Sequence, residues 1–155
     1  MTVFAGDYQA ASETKQFTLG QEIAVVDPIN GPQIWRYINN GNGSALAEGD
    51  IVALKADETV PGVVVKSPTS SPTARLAGVA QYAIPDGYYG FVLRDGVGNV
   101  LADTGGVTIS TALVTGNAVA GRADNFSAGA EHQVMGWCLA TATATNKAKT
   151  LIKIP

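Results

Sequence analysis

The sequence predicts an all-β protein: a small β-barrel or β-sandwich of about 8–10 short strands, built from two similar β units behind an extended N-terminal arm. Three observations carry this. Short runs rich in Val, Ile, Thr and Tyr recur along the 155-residue chain. Clusters of Gly, Pro, Asn and Asp separate them. No stretch sustains a helical pattern: Thr108–Val119 has the length, but Gly116 and its β-branched residues weaken it, so at most one or two helical turns are expected.

In chain order, residues 1–20 read as the arm and residues 21–155 as a single β domain. Ala10–Lys15 is small and polar, with no sustained period. Phe4, Tyr8 and Phe17 would be wasted on a solvated tail, so the arm is expected to order against a neighbour. Strands are expected at Glu22–Val26, Gln33–Tyr37, Ile51–Lys55, Gly62–Lys66, Ala77–Ile84, Tyr88–Arg94, Val100–Ala102, Ala118–Gly121, Gln133–Thr141 and Lys149–Ile154. Asp27-Pro28 and Asn30-Gly31-Pro32 break the chain before Trp35, and Asn39–Gly43 tolerates positive φ. Pro85-Asp86-Gly87 is a tight-turn signature that predicts a hairpin between Val79–Ile84 and Tyr88–Arg94. Asp95-Gly96-Val97-Gly98-Asn99 is expected to make the next turn.

The chain also echoes itself. Leu46–Asp57 lines up with Leu113–Asp124, sharing Leu, Gly, Asp or Asn, Val-Ala, a basic residue and Ala-Asp. A second match sets Leu76–Gln81 against Val134–Leu139. Each unit reads as a turn, a strand, an excursion and a return strand at a Gly, which predicts two similar β units packed together.

Composition narrows function. Only 15% of residues are charged, below the roughly 25% of average domains, and the formal net charge is −3. No basic footprint exists, so no nucleic-acid partner is expected. No apolar run approaches the roughly 18 residues that span a bilayer, and the start lacks the pattern of a secretory signal. One cysteine, Cys138, and one histidine, His132, leave no disulfide framework or multi-ligand zinc site. No cofactor is expected.

The sharpest candidate for chemistry is Val100-Leu-Ala-Asp-Thr-Gly-Gly106, which resembles the Asp-Thr-Gly loop of aspartic proteases. The apolar-Gly-Arg segment Val119–Arg122 follows too closely for an intervening flap, and no second such loop exists. Asp103 is therefore read as a turn cap. His132 beside Glu131 lacks a matching nucleophile, and Cys138 sits in the apolar run Val134–Ala140 as a small hydrophobe. No enzyme activity is expected. The aromatics offer another use: Trp35 and Tyr37 alternate on one strand, and Tyr82, Tyr88, Tyr89 and Phe91 cluster around one hairpin. Core or subunit interface is one reading; a carbohydrate-binding face is the other.

Gln33-Ile-Trp-Arg-Tyr-Ile-Asn-Asn, Ala45-Leu-Ala-Glu-Gly-Asp-Ile-Val, Ala77-Gly-Val-Ala-Gln and Ile84-Pro-Asp-Gly followed by Tyr88-Tyr-Gly-Phe-Val-Leu-Arg-Asp-Gly resemble small structural proteins of tailed-phage heads. They are similar to capsid decoration (cement) proteins over about Gln33 to Gly96, with a fainter second pass to Ile154. Val100–Asp124 departs from the compact family pattern. The resemblance implies a non-enzymatic virion protein, made in the host cytoplasm, that sits on the outer surface of the capsid. It further implies binding to the major capsid protein and a homo-oligomer, by family habit a trimer. Phe4, Tyr8, Phe17, Trp35 and Tyr88 are the residues singled out for capsid or subunit contact. The alternative is a carbohydrate-binding β-module of a virion fibre or surface.

Overall fold

A computed structural model of the chain describes residues 2–3, 7–56, 62–69, 74–127 and 134–155. Its β-branched and aromatic runs form β1 (Thr2–Val3), β2 (Glu22–Asp27), β3 (Gly31–Asn40), β4 (Ile51–Leu54), β5 (Val63–Lys66) and β6 (Leu76–Val79). They continue through β7 (Tyr89–Leu101), β8 (Ala112–Thr115), β9 (Ala123–Asn125), β10 (Gly136–Cys138) and β11 (Lys147–Lys153). No helix occurs among the described residues. The all-β expectation holds.

All strands join one sheet, in the order β1-β2-β3-β5-β4-β6-β7-β11-β10-β8-β9, and β3 also pairs with β7. That extra pairing closes β3, β5, β4, β6 and β7 into a ring. A second ring repeats the scheme with β7, β9, β8, β10 and β11, closing where Ala102, just past β7, bridges Ala123. Strand β7 serves both: Tyr89–Asp95 pairs with β3, and Asp95–Leu101 pairs with β11.

The backbone hydrogen bonds show how close the repeat is. Leu46 and Ile84 exchange bonds at the mouth of the first ring, as Val107 and Ala142 do in the second. Gly49 N–H donates to Ala80 O, and Ser110 N–H to Cys138 O. Gly87 N–H donates to Asn40 O, and Thr145 N–H to Ala102 O. Two similar units are therefore present. The second sequence match has the right register, pairing Gly78 with Gly136. A Cβ on Gly78 would lie 3.0 Å from Leu93 O, and one on Gly136 would lie 2.2 Å from Leu151 O, so the same close approach demands glycine in both rings. The first match is slipped: Leu46 is equivalent to Val107, not Leu113. Ala, Val and Gly are common enough here for a wrong register to score well.

The ring interiors correspond side chain by side chain. Ile38, Leu46, Val52, Val64, Ala77, Ala80, Ile84 and Val92 fill the first ring. Their equivalents, Val100, Val107, Leu113, Ala123, Met135, Cys138, Ala142 and Thr150, are all buried in the second. Sizes trade within the set. Val64 and Ile84 shrink to Ala123 and Ala142, while Ala77 and Ala80 grow to Met135 and Cys138. Ile38 and Leu46 also shrink, to Val100 and Val107, so shape is redistributed with a small net loss of volume, a change that a close-packed interior tolerates.

Four expected elements differ; of the strand expected at Gln133–Thr141, only Gly136–Cys138 forms one among the described residues, as β10. Asp95–Asn99 is not a turn but the middle of β7. Gly96, at φ +120, and the register shift opposite Ile34/Trp35 bend the strand from one ring into the other. Ala118–Gly121 is a turn rather than a strand, because the Asp103 carboxylate accepts the Ala118 and Val119 N–H groups. Strands lie on either side of it, at β8 and β9. The expected strand Ala77–Ile84 ends at Val79, since Ile84 turns away to bridge Leu46. The Pro85–Gly87 turn does form, with Tyr88 N–H donating to Pro85 O, and the Val79–Leu93 pairing is centred on it.

Candidate interaction surface

The N-terminal segment lies across the outer wall of the first ring. Ser12 and Tyr89 exchange backbone hydrogen bonds, and Gln16 N–H donates to Tyr37 Oη at 3.0 Å. Phe17 meets Tyr37 at 5.2 Å and Phe91 at 5.3 Å between ring centres. Tyr8 stands edge-on to Trp35 at 4.9 Å. Such aromatic pairs contribute about 0.5–1.5 kcal/mol each beyond area burial. The rings of Tyr8 and Phe17 are thus used on the chain's own barrel. Burial pushes the Tyr8 phenol above its ordinary value.

Of the singled-out residues, Phe4 lies outside the described residues, as do His132 and Glu131. Trp35 is 1% exposed, and its Nε1–H donates to Gln33 Oε1 at 3.0 Å. An indole enclosed this way is core, and offers no surface while Tyr8 and Gln33 stay in place. Tyr37 is buried too, so the alternating pair forms no open platform. Tyr88 is half-buried on the other side of the strand start, and its Oη donates to the Glu13 carboxylate, which raises the phenol pKa. The structure brings Tyr8, Phe17 and Trp35 onto one wall of the first ring.

Beside Trp35 lies a polar crevice of about 300 Å³, lined among others by Gln9, Asp27, Asn30, Gln81, Asn99 and Lys149. Much of its wall is already hydrogen-bonded. Gln81 makes a reciprocal pair with the Asn99 backbone at 2.8 and 2.9 Å. Asn99 Nδ2 donates to Glu48. The hydrogen bond from Lys147 holds the Glu48 carboxyl below its ordinary value.

Asp103 caps two turns at once. Its Oδ1 accepts Thr104 N–H at 2.7 Å, and its Oδ2 accepts Ala118 N–H at 2.8 Å and Val119 N–H at 3.4 Å. Both oxygens are committed to backbone. Cys138 is buried, its Sγ–H donates to Ala140 O, and burial pushes the thiol up. Among the described residues, no group of three or more His, Cys, Asp or Glu is placed to hold a metal ion. No helix among them is long and apolar enough to cross a membrane.

The second ring carries a feature that the sequence reading missed. On its outer wall Leu151 pairs with Trp137, and Trp137 pairs with Ala112. Phe126 N–H donates to Ala112 O, which continues the row across β11, β10, β8 and the end of β9. Trp137 is 47% exposed, and Leu151, Phe126 and the nearby Leu139 and Ile109 are exposed as well. Read as one apolar run, Val134–Ala140 hides this; its alternation buries Gly136 and Cys138 and turns Trp137 outward. The period-2 burial of β11, with Leu151 on the exposed side, is the signal that could have found it.

No family model and no curated protein matches the chain. Among solved structures it is similar to the N base of head fiber gp8.5 in bacteriophage phi29, at 16% sequence identity and a TM-score of 0.53. The likeness covers 76% of this chain and 92% of that one. At this identity it bears on the fold.

Proposed function

We propose that this chain is a structural protein of a phage virion that sits on the outer surface of the head and binds the shell of major capsid protein, many copies acting together. One observation carries the reading: 76% of this chain superposes on nearly the whole of the N base of a phage head fiber. The composition agrees with it, because a surface of small, uncharged residues suits close packing against identical copies. Weak contacts summed over an array of sites would give firm attachment without one strong pocket. The test is co-sedimentation of the purified chain with shells of the same virus's major capsid protein, followed by a map of the particles. Copies seated on the outer surface support the reading. A chain that stays in the supernatant at saturating concentration removes it.

A second reading rests on the crevice beside Trp35, whose amides and carboxylates could hold a saccharide as part of a virion fibre or surface. Its test is a titration of glycans against the blue-emitting fluorescence of buried Trp35, in a Trp137→Phe background. Unchanged emission across the panel rules it out.

A further inference from the structure

The two rings are equivalent, but their outer walls are covered differently. In the first ring, the row equivalent to Leu151, Trp137 and Ala112 is Leu93, Val79 and Ile51, and all three are 0% exposed. What covers them is the second ring. Gly98 lies so close to Leu93 that an added Cβ would stand 2.5 Å from its Cδ2. Ile51 N–H donates to Gly121 O at 2.8 Å, and Gly121 N–H donates to Ser67 O at 2.9 Å. Trp137, at 47% exposure, has no such cover among the described residues.

The rest of the wall shows that the exposure is selective. Tyr89 and Phe91 lie under the N-terminal segment in the first ring. Their equivalents in the second ring, which no such segment crosses among the described residues, are the exposed Lys147 and Lys149. Where a cover is missing, the aromatic positions have become lysines. The row that receives a barrel in the first ring has stayed apolar in the second.

We propose that the Leu151–Trp137–Ala112–Phe126 row is a contact surface for a barrel ring of a second copy of this chain. The occupant is argued from the chain itself, since the one surface of this geometry that is covered is covered by a ring of this same fold. A central exposed Trp flanked by Leu and Phe is also the composition of an interface core. The inference does not depend on attachment to a capsid.

The experiment is sedimentation equilibrium of the full chain over a wide concentration range, with Trp137→Lys and Leu151→Lys as separate variants. Thermal melting checks that each variant folds. Ile29→Lys, at an exposed apolar position on the β2–β3 turn, is the control. The wild-type chain and the control should self-associate, with Trp137 emission moving to the blue as concentration rises. Each row variant should weaken association by about 30-fold or more, the range of a lost interface anchor. A wild-type chain that is monomeric at every concentration overturns the proposal, even if Trp137 becomes protected on adding shells, because the row would then belong to the shell. Folded row variants that associate as the wild type does overturn it too.

Discussion

Met135→Ala should be costly alone and largely repaired by Ala142→Ile. In the first ring the equivalent pair is Ala77 and Ile84, both fully buried. In the second it is Met135, 0% exposed, and Ala142, 8% exposed. Met135→Ala removes three heavy atoms and Ala142→Ile adds three, so the double variant restores the first ring's arrangement at these positions. Losing a fully buried Met side chain costs about 2–5 kcal/mol, and a closed ring leaves little room for collapse, so about 3–4 kcal/mol is expected. For a chain of this length that lowers Tm by roughly 6–16 °C. Ala142→Ile alone should overpack the ring and cost about 1–3 kcal/mol. Together the two should recover at least about 2 kcal/mol relative to Met135→Ala, a coupling typical of side chains that share one space. Urea unfolding followed by intrinsic fluorescence measures all four proteins. A double variant less stable than Met135→Ala would refute the equivalence of the two interiors.

Thr145 holds φ 63 where the first ring has Gly87 at φ 77, so Thr145→Gly should relieve about 1 kcal/mol of strain and raise Tm by roughly 2–4 °C in calorimetry. Tyr82 Oη accepts the Phe91 N–H at 2.7 Å, and burial pushes its phenol up to about 12. With the folded pKa above the ordinary 10, its contribution is complete below pH 10 and fades as pH rises towards 12. Alkaline difference spectroscopy should lose that late-titrating phenol in Tyr82→Phe, which should also cost about 1–3 kcal/mol through the orphaned N–H. Asp103→Ala should cost about 3 kcal/mol, because the Thr104 and Ala118 N–H groups lose a charged acceptor. Amide exchange at Ala118 and Val119 should rise well above global opening, and unchanged exchange would contradict the double cap.

Much of the first ring is legible in the sequence because its strands carry large β-branched and aromatic residues between strong turn residues. Glu22–Val26, Ile51–Lys55 and Gly62–Lys66 fall within a residue or so of the observed strands. The second ring is harder to read because Ala, Thr and Gly stand where the first has Ile, Tyr and Val. Two glycines with an Asp and an Asn look like a turn at 95–99, yet the strand continues because β11 pairs with every residue of it. That pairing is long-range and invisible to local propensity. The aromatic residues expected at contacts divide by the same logic. Trp35 and Phe17 fill the first ring's wall, which the sequence marks as apolar without saying what lies over it. The exposed row at Trp137 depends on knowing that a strand of only three residues has its middle side chain facing out.

The shared strand has a mechanical consequence. The rings are not beads on a linker. Their junction is β7 itself, held along one half by β3 and along the other by β11. No loose peptide between them can act as a hinge, so a tug on one ring reaches the other along thirteen residues of continuous backbone laced on both halves. Such a body tilts or holds as a unit. A bend at one glycine supplies that property in place of a separate connector.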